Sequence, residues 1–459
     1  MPVSNEFAWE VQPDAARWVR RMVESLAERN PTIDQLGGML RDQTGTRLVD
    51  WVDHLAIDSK DNDHLRSELA DVGYVAEAAV DEDTWRHELG LFPPVLIGAG
   101  RTGLAIRIDS VDDCLAALPA ALGFCKCEEE DMLGQRGGQF RQVGLHTEDG
   151  VALWIVERHG YQGLVCPHSE TQQIDAAARH LKLFQVRQRE FDSVEESFQH
   201  AAKLFAAARD DLGTDWACDL FFIAEREYWR GRNHAARVQY QRQNRLGLGW
   251  ANHDHHTYRS SRRAFQQLIS TLEQMGFICR ERFYAGQEAG WGAQVLEQPE
   301  CRVVIFADVD LSPEEVAGDF AHEPLAEREE LGTVGLWCEL HGEAFLQAGM
   351  HHLECQFDFD AARAQLAAAG IETLTPFTDF PHLRQAFTRG ETWVVDSRRV
   401  DRLLAEERIT QEEADRFRRD GAIGSHLEIL ERNDGYKGFN QTGISEIITR
   451  TDPRRITAH

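Results

Sequence analysis

Several things are missing from this 459-residue sequence, and each absence narrows what the chain can be. No run of about 18 consecutive apolar residues occurs, so no segment reads as a membrane span. No CxxC pair occurs either. The nine cysteines (Cys114, Cys125, Cys127, Cys166, Cys218, Cys279, Cys301, Cys338 and Cys355) are odd in number and scattered, which argues against a disulfide framework and for a reducing compartment. Cys125 and Cys127 form a CxC with no matching pair elsewhere and read as alternating strand residues. There is no Walker motif and no GxGxxG; the glycines of GAGRTG (98–103) follow a proline-containing turn and separate two structural units. Basic residues are in deficit, 49 against 77 acidic ones, for a formal charge of −28. Such a surface is a poor partner for nucleic acid or an anionic membrane. The opening stretch MPVSNEFAWEVQPDAARW has neither a basic start nor an apolar core, so no signal peptide is expected. A cytoplasmic protein follows, one that needs no organic cofactor.

Apolar residues make up 42% of the chain, enough for sizeable cores, and its length suits two to four domains. Residues 1–45 read as a helical extension, with Trp18, Val19, Met22, Val23 and Leu26 at helical spacing. Residues 46–165 are β-rich, with helices expected near 62–73 and 111–123. Residues 166–246 change to Gln, Arg, Glu and Ala and read as two or three linking helices. Its basic-aromatic stretch EYWRGRNHAARVQYQRQNR reads as a solvated helix packing against a domain rather than a nucleic-acid surface. From 247 to 459 the β-rich pattern returns. It includes an amphipathic helix at 261–277, stopped by Gly276, and a further helical excursion before the strand SHLEILERN.

The two β-rich parts repeat one another. Each reads as two strand–helix–strand–strand–strand units, and local alignments fix the correspondence. WVDHLAID matches NHDHHTYR, which sets His54 opposite His255. TGLAIRID matches HHLECQFD, which sets Gly103 opposite His352. VALWIVERHGYQG matches SHLEILERNDGYKG, with a shared ER and GY-x-G, and sets Trp154 opposite Glu428. The first copy thus carries His, Gly, Trp where the second carries His, His, Glu. Two imidazoles and a carboxylate form a facial triad that leaves about three coordination positions open, as non-haem Fe(II) oxygenases require. Each residue alone reads equally well as an ordinary polar strand residue; the matched positions in repeated units favour a metal site. His253, His256 and His351 are neighbouring candidates. Register favours His255 and His352, and strand alternation puts His256 and His351 on the opposite face.

With these residues identified, the sequence resembles the vicinal-oxygen-chelate superfamily over about 46–165 and 247–459. That resemblance implies an α+β fold in which repeated βαβββ units form two half-barrel cups, a metal-free pair at 46–165 and a metal-binding catalytic pair at 247–459. GMHHLECQFDF and HLEILERNDGYKGFNQTGISEI resemble 4-hydroxyphenylpyruvate dioxygenase, a family with a C-terminal helix after a GFG-type turn. Here the turn is Gly438-Phe439-Asn440, and Gly443-Ile444 stands where that family has Asn-Phe, which departs from its hydroxyphenyl substrate. A second resemblance is to the 2-oxoadipate dioxygenase/decarboxylase family. It rests on His255 with Arg259, on His352-Leu353 with Asp358 and Asp360, and on Glu428-Ile429-Leu430-Glu431-Arg432. It implies Fe(2+) on His255, His352 and Glu428, a small-molecule 2-oxo acid and O2 as partners, and Arg259 as the group that recognises a substrate carboxylate. Alternation places Thr257 and Arg259 on the same face as His255. The wide spacing of the three donors suits oxo-acid enzymes better than the compact extradiol dioxygenases. Glyoxalase-type isomerases generally use a second carboxylate, where the strand CRVVIFADVD offers Val303, Val304 and Ile305. The expected activity is an Fe(II)-dependent dioxygenase that oxidatively decarboxylates a 2-oxo acid. The alternatives are another metal enzyme of the same fold (extradiol dioxygenase, isomerase or hydrolase) or a non-catalytic ligand-binding protein.

Overall fold

The computed structural model describes residues 9–58, 62–77, 83–98, 100–124, 128–440 and 452–454. Cys125, Cys127, Gly443, Ile444 and the helix expected after the 438–440 turn lie outside the described residues.

Two helices open the chain. Helix α1 (Pro13–Arg29) starts with proline in its first turn, where the missing N–H has no partner to lose, and buries Trp18, Val19 and Leu26. Helix α2 (Pro31–Thr44) is capped by the Asn30 side chain, which accepts from the Thr32 N–H at 3.2 Å. Both pack on one face of the first sheet, against Leu55, Leu104 and Leu153.

Four βαβββ units follow. The first is β1 (Val52–Ile57), α3 (Asn62–Asp71), β2 (Tyr74–Ala76), β3 (Asp83–His87) and β4 (Val95–Ile97). The second is β5 (Thr102–Arg107), α4 (Val111–Ala121), β6 (Glu128–Leu133), β7 (Phe140–Glu148) and β8 (Val151–Arg158). Helices α5 (Thr171–Gln185), α6 (Val194–Leu212), α7 (Thr214–Arg232) and α8 (His234–Asn244) then connect the halves. The third unit is β9 (His253–Arg259), α9 (Arg262–Gln274), β10 (Ile278–Tyr284), β11 (Trp291–Gln298) and β12 (Val303–Asp310). A short α10 (Pro313–Val316), α11 (Thr333–His341) and a π-helical turn at Ala344–Ala348 precede the fourth. That last unit is β13 (His352–Gln356), α12 (Phe359–Ala368), β14 (Thr378–Phe380), β15 (Leu383–Phe387), β16 (Glu391–Trp393), α13 (Ser397–Ala405), α14 (Gln411–Asp420) and β17 (Ala422–Arg432).

The two sheets share one plan. Their strand orders are β2-β3-β4-β1-β5-β8-β7-β6 and β10-β11-β12-β9-β13-β17-β15-β14. Within each unit the first strand pairs parallel with the last; between units the two first strands pair antiparallel. The fold is therefore α+β, built from repeated βαβββ units. Residue register follows the sequence alignment: His54 faces Ala105 as His255 faces Glu354, and Ala105 faces Trp154 as Glu354 faces Glu428.

Two parts differ from expectation. Four helices join the halves rather than two or three, and α11 with its π-helical turn was not anticipated. Nearly every residue of α11 is buried, including Val334, Leu336, Trp337 and Leu340, and a helix covered on all sides has no polar stripe to reveal its period. The basic-aromatic stretch spans the end of α7 and all of α8. It packs one face inward through Trp229, Gln239 and Gln243 and leaves Glu227, Arg237 and Gln241 exposed, a solvated helical segment packed against the domain as expected.

One ion pair occurs twice, at equivalent places. Arg158 holds both oxygens of Asp53 at 2.7 Å and donates to the Gly163 carbonyl at 2.6 Å. Arg432 holds both oxygens of Asp254 at 2.8 and 2.9 Å and donates to the Gly438 carbonyl at 2.5 Å. Burial alone would raise the Asp53 carboxyl, but Arg158 and His54 outweigh it and hold it well below the usual range. Asp53 therefore contributes stability above its unfolded pKa of about 3.9, and that contribution is lost as pH falls through the lower folded value. Replacing Arg158 with Leu leaves a buried unpaired carboxylate and should cost about 3–5 kcal/mol in urea denaturation at pH 7. The double variant Asp53→Asn/Arg158→Leu should recover most of that loss; full additivity of the two changes would show that the pair is not coupled.

Candidate metal centre

In the second sheet one face of β9, β13 and β17 packs against helices. His256, on that face, has Nε2 3.5 Å from an Arg226 nitrogen and its ring against Phe222, both from α7. Alternation sends His255, Thr257 and Arg259 to the other face. There β13 contributes His352 and Glu354, β17 contributes His426 and Glu428, and β15 contributes Gln385 and Phe387. All of these side chains are buried. The register makes the meeting unavoidable: Thr257 pairs with His352 and His352 with His426, while His255 pairs with Glu354 and Glu354 with Glu428.

His352 Nε2 lies 3.0 Å from Glu428 Oε2, and His255 Nε2 lies 3.9 Å from the same oxygen. Donors bound at about 2.1 Å and at right angles stand roughly 3 Å apart, so a small relaxation would let one first-row ion bridge them. Together His255, His352 and Glu428 present one ligand atom each, all within 4.8 Å of one another. His255 is oriented from behind, its Nδ1 3.3 Å from Glu354 and 3.5 Å from Asp254, with Arg432 fixing Asp254. A carboxylate behind the ring turns Nε2 forward, the arrangement that metal-binding imidazoles use. The Thr257 hydroxyl lies 2.8 Å from His352 Nε2, and Gln385 donates to Glu354 at 3.1 Å and to Glu428 at 3.3 Å.

The electrostatics are those of a site built around negative charge. Burial opposes protonation of His255, but Glu354 and Asp254 outweigh it and raise the imidazole to about 9. Burial, then the Glu354 charge, pushes the Glu428 carboxyl well above its usual range. His352 is driven well below the imidazole range by burial and by His426 and His255. A cation bound here would face two carboxylates and displace protons from His255 and Glu428. Aromatic rings close the surroundings: Phe306 sits 4.6 Å and Phe439 5.4 Å from the His255 ring, and Phe387 5.9 Å from that of His352.

The other residues singled out in the sequence take varied places. His351 does not turn away as expected: it sits one residue before β13, where alternation does not yet apply. Its Nδ1 lies 3.0 Å from His352 Nδ1, and it forms with His352 and His426 a second cluster of ligand atoms. Arg259 is buried on the donor face, 4.0 Å from Asp308 and 5.7 Å from the centre of the Trp337 ring. Asp358 caps α12 through the Ala361 N–H, and Asp360 pairs with Arg384, so both serve structure. In the first half, His54 is buried, bonded at 2.8 Å to Asp53 and stacked on Trp154. A Cβ on Gly103 would come within 2.4 Å of the Trp154 ring, so the indole occupies the space where His352 and Glu428 stand in the second half.

Glu354 escaped sequence reasoning. The second carboxylate enters from β13, two residues after His352, and not from β12, where Val303, Val304 and Ile305 made the site look short of one. The available signal was its alternation with His352 and its alignment with Ala105.

No family model matches this chain, and no curated protein matches it. Solved structures similar to it include glyoxalase-fold proteins of the vicinal-oxygen-chelate superfamily. A triple mutant of 4-hydroxymandelate synthase from Streptomyces coelicolor is 9% identical over 88% of this chain and 98% of its own, with a TM-score of 0.29. A fusion of a xylose isomerase-like TIM barrel with 4-hydroxyphenylpyruvate dioxygenase is 11% identical over 88% of this chain and 52% of its own, with a TM-score of 0.24. The Mn(II)-bound glyoxalase from Novosphingobium aromaticivorans is 11% identical over 83% of this chain and 82% of its own, with a TM-score of 0.20. At such scores neither activity, metal nor substrate passes from those proteins to this one. Among the described residues no helix is long and apolar enough to cross a membrane.

Two buried carboxylates facing one another cost stability, a cost that protons on Glu428 and His255 offset in part and that a bound cation would remove. Chelator-treated Glu428→Gln should therefore melt several degrees higher than chelator-treated wild type. A lower melting temperature would mean that the pair is stabilising in its own right.

Proposed function

We propose that this chain is a mononuclear non-haem Fe(II) dioxygenase that oxidatively decarboxylates a 2-oxo acid, with His255, His352 and Glu428 as metal ligands. The observation that carries the proposal is the convergence of these three buried side chains from adjacent strands, at places where the first half has His54, Gly103 and Trp154. The donor set fits: two imidazoles and a carboxylate suit Fe(II), and no thiolate is among the cluster's ligand groups. Bound there, Fe(II) would supply a Lewis-acid seat for the carboxylate and keto oxygen of the 2-oxo acid, together with redox chemistry towards O2.

The protein's own groups would do the rest. Glu354 and Asp254 hold the His255 ring with Nε2 forward, and Gln385 ties the two glutamates together. Phe306, Phe387 and Phe439 exclude water from the reacting atoms. Arg259 lies two strand residues beyond Thr257, the register partner of His352, a separation of roughly 7 Å. Its planar fork suits bidentate capture of a second carboxylate, so the substrate class is a short 2-oxo diacid. Asp308, pushed up to about 7 by burial against the pull of Arg259, is the internal group that competes for the guanidinium.

Glu354 favours a second reading, a metal-dependent isomerase with two carboxylate ligands. Oxygen consumption separates the two. Purified protein reconstituted with Fe(II) should consume O2 and release CO2 in equal amounts from a 2-oxo diacid. His255→Ala, His352→Ala and Glu428→Ala should each lose the bound iron. Substrate isomerised with no O2 uptake would overturn the dioxygenase; full iron in His352→Ala would overturn the ligand set. Arg259→Lys should keep its iron while KM rises about tenfold or more, because the charge stays and the fork is lost. Unchanged turnover in Arg259→Lys would remove it from substrate recognition.

A further inference from the structure

Between the two halves lies a cavity of about 600 Å³, lined by both sheets: Phe92, Pro94 and Arg107 from the first half, Asp254, Arg302 and Phe439 from the second. Its volume is that of a small-molecule site. It stands on the far side of Asp254 and Phe439 from the donor cluster, against the half that carries no facial triad.

Its charge is unusual for a chain of net −28. Glu88 and Glu300 line it without an ion pair among the described residues, and most of the other charges are matched: Asp50 by Arg47, Asp254 by Arg432, Glu297 by Arg280 and Glu77 by Arg86. Arg107 and Arg302 are not, having no carboxylate within ion-pair distance among the described residues. The carboxylates whose fields reach them are engaged elsewhere, Asp53 by Arg158, Asp219 by His159 and Asp109 by the Trp250 N–H at 2.6 Å. Arg302 lines the cavity and is exposed. Crowding by protein, with repulsion from Arg107, Arg158 and Arg86, lowers the pKa of its guanidinium. It also has a left-handed backbone, φ 54°, that non-glycine residues rarely adopt and that is found preferentially at functional sites. Like charges held near one another repel, and a bound anion would relieve that repulsion.

We infer that this cavity binds a small polyanion, a phosphorylated or multiply carboxylated metabolite, with Arg107 and Arg302 clamping it from opposite halves. Two arginine forks, one from β5 and one from the turn before β12, match clustered phosphate or carboxylate oxygens. The metal-free half thereby supplies one of the two binding arms.

The test is calorimetry on the full chain, stripped of metal with the neutral chelator 1,10-phenanthroline, so that its outcome is independent of the proposed iron chemistry. Pyrophosphate and citrate serve as probes, each against sodium chloride of equal ionic strength. Wild type should bind at least one of them saturably at one site per chain. Binding of pyrophosphate alone assigns a phosphorylated ligand, and binding of citrate alone a carboxylated one. Arg107→Gln and Arg302→Gln should each weaken binding at least tenfold; Arg398→Gln, an exposed surface control, should not. Without ligand, both cavity variants should melt at or above wild type, because repulsion is relieved. No saturable binding of either probe, undiminished binding in both variants, or cavity variants that melt lower without ligand would overturn the site.

Discussion

The buried pair between Asp254 and Arg432 holds the second half in working order. Asp254 is the second residue of β9 and Arg432 ends β17, so the pair bolts the first strand of one unit to the last strand of the next. The same guanidinium reaches on to the Gly438 carbonyl, which sets the turn carrying Phe439 over the His255 ring. Asp254 also stands behind His255 Nδ1. Burying two charges is expensive, and a bidentate arginine with extra backbone acceptors is the geometry that offsets the cost. What the pair provides is position: ring, carboxylates and aromatic cover are all referred to one rigid point.

Its twin in the first half explains how much could be read in advance. The ER and GY-x-G repeats that aligned the halves are the residues of this device: the arginine, and the turn whose carbonyls it holds. The histidines and Glu428 were legible because two copies of one strand could be compared position by position. Glu354 was not, since a single acidic residue on a five-residue strand looks like any other until its neighbours are placed. The α11 insertion was hidden by its complete burial. That Arg107 and Arg302 line one cavity was beyond reach, because no local pattern links residues so far apart in the chain.

Comparison of the halves also shows one plan filled in two ways. Trp154 fills the first cup, and Gly103 makes room for it by having no side chain. Ala56, Ala105 and Phe140 complete a dry interior there. The filled half remains a rigid wall for the cavity it shares with its neighbour, and its Arg107 stands at the position that Gln356 holds in the second sheet, where the amide is spent on Asp254.

The strand order has a further consequence, for how the chain assembles. In every unit the opening strand must wait for the closing one, which is its parallel neighbour. For β13 that neighbour is β17, delayed by α12, β14, β15, β16, α13 and α14. Loop-closure entropy grows only slowly with the length of such an excursion, so the cost lies in rate more than in stability. Glu428 rides on that last strand. During synthesis from the N-terminus the earlier sheet can be complete while the ligand cluster still lacks its carboxylate. A nascent chain thus holds His255 and His352 but not the assembled cluster until β17 has docked.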